Sequence, residues 1–300
     1  MTAPRALSFT AFATLLLIAF MMGANHVAAR VAFGSGLDVA TAVACRSLVT
    51  ALVVGIVVVS QRVSLQLTPQ HKRAIPLIGL CIALQSQCLY SSVARLPVAL
   101  ALLAFNTYPL WAALWDGVLY RRKPERALVL AMPVILLGLA LALDVLGAAS
   151  GLGSAAQWDR IGAGVAFAMA AAAFFGLALV WTQHETQGLD GRLRTLSSMS
   201  LAGVVALAFI AAQGGPHLPG SVAGWWGLAA LTFLYGTAFT ILFTVLPRLG
   251  VVGNSAIMNV EPIFALVLAW WLLDQAVASI QLVGAGLVVG AVIWLGLRKR

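Results

Sequence analysis

The chain has 300 residues, of which 62% are hydrophobic and only 9% are charged, and its mean hydropathy is +1.00. A soluble domain of this length could not bury so much apolar surface, so the composition excludes a soluble protein and indicates a polytopic membrane protein. The formal net charge of +9 does not indicate nucleic-acid binding, because the basic residues lie in short clusters between apolar segments, where they determine membrane topology.

Apolar segments long enough to cross a bilayer follow one another along the chain, with short connections between them. Leucine, alanine and valine dominate these segments, which favours helices over the strands of a membrane barrel, where polarity would alternate. We therefore expect an all-α membrane protein with ten transmembrane helices. The ten predicted spans are Ser8–Ala29, Asp38–Ser60, Ala74–Ala94, Pro97–Tyr120, Ala127–Leu146, Ile161–Gln183, Leu196–Ala212, Gly224–Leu246, Val251–Leu273 and Ser279–Leu297.

Lysines and arginines divide unequally between the two ends of these spans. With the N-terminus inside, the outer ends carry only Arg30, Arg95 and Arg160, and Arg46 lies within a span. All the other basic residues fall at the inner ends, and basic loops stay in the cytoplasm. We therefore expect a multi-pass protein of the inner (plasma) membrane with both termini in the cytoplasm.

The second half of the chain repeats a pattern of the first half at one fixed offset, without a gap. The residues Arg248, Leu249, Val251, Asn259, Pro262, Ala265 and Leu272 fall on Arg95, Leu96, Val98, Asn106, Pro109, Ala112 and Leu119, and Gly176 and Val180 fall on Gly23 and Val27. This pattern predicts a duplication into residues 1–150 and 151–300. Because each half holds five spans, the second half enters the membrane from the opposite side. Inverted-topology repeats are typical of transporters, which bind substrate at the repeat interface.

The ninth predicted span carries Glu261 and Pro262 at its centre, with Asn259 just before them. A charged side chain at mid-bilayer costs about 2.5–3.5 kcal/mol on insertion scales, and a proline removes a backbone hydrogen bond and kinks the helix. The pattern predicts a bent helix that faces an internal polar cavity. The alternative is a structural role, in which protonated Glu261 bonds a neighbouring helix.

The repeat places Tyr108 at the position of Glu261 and Asn106 at that of Asn259, so the fourth span is expected to bend at Pro109 and line the same cavity. Other polar or aromatic side chains at mid-span complete the predicted site. The candidate substrate contacts are Asn106, Tyr108, Trp111, Gln85, Phe175, Tyr235, Asn259 and Glu261, with Pro109 and Pro262 as the gating kinks.

Several polar residues inside the spans allow more than one interpretation. Arg46 would bind a substrate carboxylate, pair with an internal acid, or extend its side chain to the interface. Asn25 and His26 would meet substrate or form a hydrogen-bonded pair. Asp116 is close in sequence to Arg121 and Arg122, which predicts a structural ion pair.

Signals for catalysis or for a cofactor are absent from the sequence. His184-Glu185 lacks the second histidine of a zinc-binding His-Glu-x-x-His helix, and no phosphate-binding loop or Gly-x-Ser-x-Gly elbow occurs. Cys45, Cys81 and Cys88 lie inside spans and are interpreted as small buried side chains. We expect no enzymatic activity, cofactor, metal or nucleic-acid partner. The expected partners are a small-molecule substrate and the bilayer, and Gly286-x-x-x-Gly290 leaves monomer or homodimer open.

The chain resembles the drug/metabolite transporter superfamily, EamA-type branch, in the stretches Leu96–Trp111, Asn259–Phe264 and Gln281–Ala285. The resemblance implies a secondary carrier of small metabolites, with a central cavity lined by spans 1, 3, 4, 6, 8 and 9 and with spans 5 and 10 at the periphery. Members often carry a glutamate just after the fourth and ninth helices, where this chain has Arg122 and Gln275, so no role is transferred from those carboxylates.

The sequence and the resemblance together predict an exporter or facilitator of amino acids, including aromatic ones, that works by alternating access. The alternative is an exporter of cationic drugs or toxic compounds that is coupled to protons through Glu261, because a buried carboxyl can load and release a proton.

Overall fold

The computed structural model describes residues 9–123, 126–144, 146–147, 150–151, 153–244, 260–275 and 278–297. These residues form helices and connecting turns, and none of them is in a strand. The helices are α1 (Phe9–Gly34), α2 (Val39–Ser60), α3 (Pro69–Arg95), α4 (Val98–Phe105), α5 (Tyr108–Tyr120), α6 (Arg126–Ala142), α7 (Ser154–Glu185), α8 (Gly191–Ala212), α9 (Val222–Thr244), α10 (Glu261–Leu273) and α11 (Ser279–Leu297).

The predicted number of spans agrees with the helices of the described residues. Seven helical units are long and apolar enough to cross a membrane, and α4 and α5 together count as one of them. Shorter apolar helices occupy the places of the fifth, ninth and tenth predicted spans, namely α6, α10 and α11. The all-α, multi-pass membrane architecture is therefore confirmed.

The fourth span is broken at its centre rather than bent. Pro109 lies at the start of α5, where it has no N–H to donate to the preceding turn. The last turn of α4 is closed by backbone bonds, from the Asn106 N–H to Leu102 O at 2.9 Å and from the Thr107 N–H to Ala104 O at 3.2 Å. The same carbonyls also accept from the side chains, Asn106 Nδ2 at 2.9 Å and the Thr107 hydroxyl at 2.8 Å. Satisfied carbonyls allow the helix to break inside a membrane.

Helices α5 and α10, which lie in the fourth and ninth predicted spans, share their local geometry across the repeat. Helices α5 and α10 each have 13 residues, and each begins with a residue that precedes a proline. Both end in a left-handed residue, Arg121 with φ 54° and Asp274 with φ 50°. These positions coincide at the offset found in the sequence, which supports the duplication. Asn259 and the preceding part of its span lie outside the described residues.

Two glycines that the repeat aligned mark close helix crossings. Helix α1 crosses α10 at Gly23, where an added Cβ would lie 3.0 Å from Glu261 O. Helix α7 crosses α5 at Gly176, where an added Cβ would lie 2.8 Å from Ala112 N. Each half therefore packs its first helix against a helix of the other half, and the two halves interlock.

The expected ion pair of Asp116 with Arg121 or Arg122 is wrong. Asp116 Oδ1 lies 2.8 Å from His184 Nε2 on α7. Side chains five or six residues apart do not share a helix face, whereas those three or four apart do. Next to this pair, Tyr120 stacks on His184 with ring centroids 3.9 Å apart and donates to Glu185 Oε1 at 2.5 Å. These contacts hold α5 against α7 at one end of the bundle.

The glycine crossing at α7 yields a stability prediction. We expect Gly176→Ala to lower the melting temperature, because overpacking costs about 1–3 kcal/mol and exceeds the gain of about 0.5–1 kcal/mol from helix propensity. The matched control is Gly286→Ala, where no atom lies within 4 Å of an added Cβ, and it should melt at or above the wild type. Thermal unfolding of the detergent-purified variants measures both, and a Gly176→Ala protein as stable as the control would contradict the close crossing.

Candidate functional site

A cavity of about 270 Å³ lies between the helices. Its walls come from α1, α3, α4, α5, α7, α9 and α10, the described parts of spans 1, 3, 4, 6, 8 and 9. Helices α2 and α8 also contribute, so spans 2 and 7 must be added to those that the resemblance implied. Among the described residues, α6 and α11 contribute nothing to the wall, in agreement with their expected place at the periphery.

The cavity occupies one end of the bundle, which we call the basic end because the sequence places most arginines and lysines there. The lining residues of α7 lie in its last turns, from Phe175 to Thr182, and those of α8 lie in its first turns, from Arg194 to Met199. Within α4, all residues from Val98 to Ala104 are at most 7% exposed, and of these only Leu102 lines the cavity. The part of α4 nearest the opposite end is therefore buried in protein.

Seven of the residues singled out from the sequence meet at this cavity. They are Arg46, Gln85, Asn106, Tyr108, Phe175, Tyr235 and Glu261. Trp111 is not among the lining residues and packs against Gly176 at the α5–α7 crossing, while Asn259 lies outside the described residues. The structure gathers most of the predicted set, and its role in substrate contact stays a prediction.

Arg46 is held in the cavity wall by aromatic rings. Its guanidinium carbon lies 4.4 Å from the ring centroid of Tyr90 and 4.0 Å from that of Tyr235. The residue is only 3% exposed, so the interpretation in which it extends to the interface is wrong. It forms no ion pair with any carboxylate of the described residues, and its Nε has no hydrogen-bond partner among them. Cation–π contacts therefore stabilise a buried positive charge that is still available to an anion.

Glu261 faces His26 across the interface between α10 and α1. Glu261 Oε1 lies 3.3 Å from His26 Nε2, and the His26 side chain is almost fully buried. One interpretation expected a hydrogen bond between Asn25 and His26. The structure shows none, because adjacent residues point away from each other on a helix. Asn25 Oδ1 accepts a hydrogen bond from the Tyr90 hydroxyl at 2.8 Å.

Three aromatic rings form another part of the wall. The ring centroids of Phe105, Tyr108 and Phe175 lie 5.0–5.7 Å apart, with Tyr108 and Phe175 edge to face. Such a cluster offers both ring faces and ring edges, which suits a flat apolar group. The cavity thus combines a cationic pole, an acidic pole and an aromatic surface.

The structure also assigns roles to residues that the sequence left open. Gln275, where the family often has a glutamate, accepts a hydrogen bond from the backbone N–H of Val98 at 3.1 Å and so caps α4. Arg194 lines the cavity, although its position near a predicted span end suggested only a topological role. In the described part of the chain, no cluster of three or more metal-ligating side chains occurs, and the three cysteines are free.

Comparison with known proteins agrees with this architecture. No curated protein matches the chain. A solved structure described only as the crystal structure of a protein has a similar fold, with 18% identity and a TM-score of 0.58 over 96% of this chain and 99% of that chain. The profile of the EamA-like transporter family matches twice, over residues 9–143 and 162–297. These two matches, one for each repeat, cover nearly all of the sequence, and the chain therefore belongs to the EamA-like transporter family.

Proposed function

We propose that this membrane transporter is an exporter or facilitator of amino acids, including aromatic ones, and that it works by alternating access in the inner (plasma) membrane. The observation that carries the proposal is the guanidinium of Arg46, which lines the cavity without an acidic partner among the described residues. A buried charge is normally paired, so this one favours a substrate that brings its own carboxylate.

The charges around the cavity favour a zwitterion over a simple cation. Arg46 and Arg194 line the cavity, whereas Glu261 is the one acidic residue among the described lining residues and already faces His26. A solute that carries only a positive charge would meet two arginines that form no ion pair with a described residue, and like charges in a low-dielectric site repel strongly. An amino acid places its carboxylate on Arg46 and its ammonium on Glu261, which gives two charge-assisted contacts.

The shape of the cavity favours one small solute with a flat side chain. Its volume of about 270 Å³ is slightly below the range of about 300–1,000 Å³ for ligand pockets, which suits a single amino acid. The cluster of Phe105, Tyr108 and Phe175 supplies a surface on which an aromatic side chain stacks.

The unequal burial of equivalent helices supports alternating access. In α10, Ala265 and Ala269 are at most 1% exposed, whereas no residue of the equivalent α5 is buried. In an inverted repeat, exchange of the two conformations between the halves 1–150 and 151–300 moves the opening to the other side. The positive-inside rule assigns the basic end and both termini to the cytoplasm, so this conformation is the inward-facing one.

Export of cationic drugs remains the second candidate, because a titratable pair, Glu261 with His26, lies in the cavity wall. The Glu261 carboxylate is the group in this wall to which a cationic solute would bind. The two candidates differ in whether transport needs a carboxylate on the substrate.

We expect Arg46→Gln to raise the KM for phenylalanine uptake into proteoliposomes by roughly 10- to 100-fold. The reason is the loss of a charged hydrogen bond worth about 1.5–3 kcal/mol, at about 1.4 kcal/mol per tenfold change. Arg95→Gln is the control, because it removes the same charge at an exposed residue that stacks on Phe167 outside the cavity. Wild-type uptake no faster than that of protein-free liposomes, or a wild-type KM in Arg46→Gln, would refute the proposal.

A second experiment tests the acidic pole. We expect Glu261→Gln to raise the KM for phenylalanine about tenfold while the inhibition constant of 3-phenylpropionate, which has no ammonium group, stays within about twofold of the wild-type value. Competition against labelled phenylalanine measures both constants. Ethidium transport that depends on a pH gradient and disappears in Glu261→Gln would instead favour the cationic-drug alternative.

A further inference from the structure

A second arginine lines the cavity at its basic end, far along the chain from Arg46. Arg194 belongs to the first turns of α8, and Thr195 and Ser198 on the same helix line the cavity beside it. Thr182, from the last turns of α7, also contributes to this part of the wall. A positive charge and three hydroxyl groups are thus gathered where a solute would enter from the basic end.

The guanidinium of Arg194 forms no ion pair within the described part of the chain, although the charge of Asp190 attracts it. The nearest acid in sequence, Asp190, is occupied by Arg192, whose Nε and Nη2 lie 2.9 and 2.6 Å from its two carboxylate oxygens. The hydrogen bond from the Arg192 side chain lowers the pKa of Asp190 below its usual value, so that carboxyl is ionised and engaged at neutral pH. Arg194 forms no ion pair of its own with a described residue.

The hydroxyl groups beside Arg194 are also available. Thr195 and Ser198 are only 5% and 6% exposed, and neither side chain forms a hydrogen bond with any other residue that the structure describes. Buried hydroxyl groups normally find a partner, and a hydroxyl can donate to an anionic oxygen while a neighbouring guanidinium binds the same anion. This combination is suited to a carboxylate.

We propose that Arg194, Thr195 and Ser198 form an entry site for the carboxylate of the transported solute, distinct from the deeper site at Arg46. The proposal rests on the proposed function and extends it to the path of the substrate. An amino acid that arrives from the basic end is attracted by Arg194, since a positively lined cleft raises the local concentration of anions. Its carboxylate then moves inward from the guanidinium of Arg194 to that of Arg46.

The experiment uses proteoliposomes in which the solute is added at the basic end, with labelled phenylalanine as substrate and unlabelled 3-phenylpropionate as competitor. We expect Arg194→Gln to raise the KM for phenylalanine and the inhibition constant of 3-phenylpropionate about tenfold, because one charged contact is lost. Arg194→Lys should retain most of the affinity. The hydroxyl-free double variant Thr195→Val/Ser198→Ala should raise both constants about threefold, since neutral hydrogen bonds are weaker.

The control is Arg73→Gln, which removes an exposed guanidinium at the start of α3 that does not line the cavity; both constants should stay at their wild-type values. Phenethylamine, which is a cation without a carboxylate, separates recognition from structure, because its inhibition constant should stay unchanged or fall in Arg194→Gln. A rise for phenethylamine as large as that for the carboxylates would overturn the entry site.

The outcomes separate this inference from the proposed function. If the wild type does not transport phenylalanine, the proposed function fails. Suppose instead that the wild type transports phenylalanine and that Arg46→Gln impairs this transport. If Arg194→Gln and the double variant then keep wild-type constants for both carboxylates, only the entry site is refuted. Should Arg194→Gln not fold, the near-isosteric double variant and Arg194→Lys decide the question.

Discussion

The central constraint on this protein is that a backbone polar group inside a bilayer must find a partner. A helix can therefore break at mid-membrane only where side chains replace the lost hydrogen bonds and where the break faces protein or a cavity. At the break of the fourth span, the backbone N–H groups and the side chains of Asn106 and Thr107 both donate to carbonyls of α4. Gly23 and Gly176 let α1 and α7 approach α10 and α5 closely enough to cover them. Asn106, just before α5, and Glu261, the first residue of α10, both line the cavity.

The same low dielectric explains how the cavity can hold charge. Aromatic rings, rather than acids, hold Arg46 in place, so the guanidinium is stabilised without being neutralised. An internal carboxylate would stabilise it more and leave nothing for a substrate to bind. Glu261, by contrast, has a side-chain partner in His26. The guanidinium therefore contacts aromatic rings, whereas the carboxyl contacts an imidazole.

The two halves share a fold but differ in the polarity of equivalent helix interfaces. At the basic end, polar contacts hold α5 against α7, and they involve Asp116, Tyr120, His184 and Glu185. The equivalents of the first three in the other half are Ala269, Leu273 and Val31, which are apolar. At the equivalent positions, the interface between α10 and α1 is therefore apolar where that between α5 and α7 is polar. This difference breaks the symmetry of the repeat.

The sequence by itself determined the ten spans, the duplication, the interruption of the fourth span at Pro109 and the gathering of Glu261 and Tyr108 at one internal cavity. These follow from the cost of polar groups in lipid, which is a property of each segment alone. Only the tertiary structure decided the partners: His26 for Glu261, tyrosine rings for Arg46, His184 for Asp116, and the place of Arg194 in the cavity wall. The reason is that helices apolar on every side carry no signal of their orientation, so packing alone fixes which residues meet.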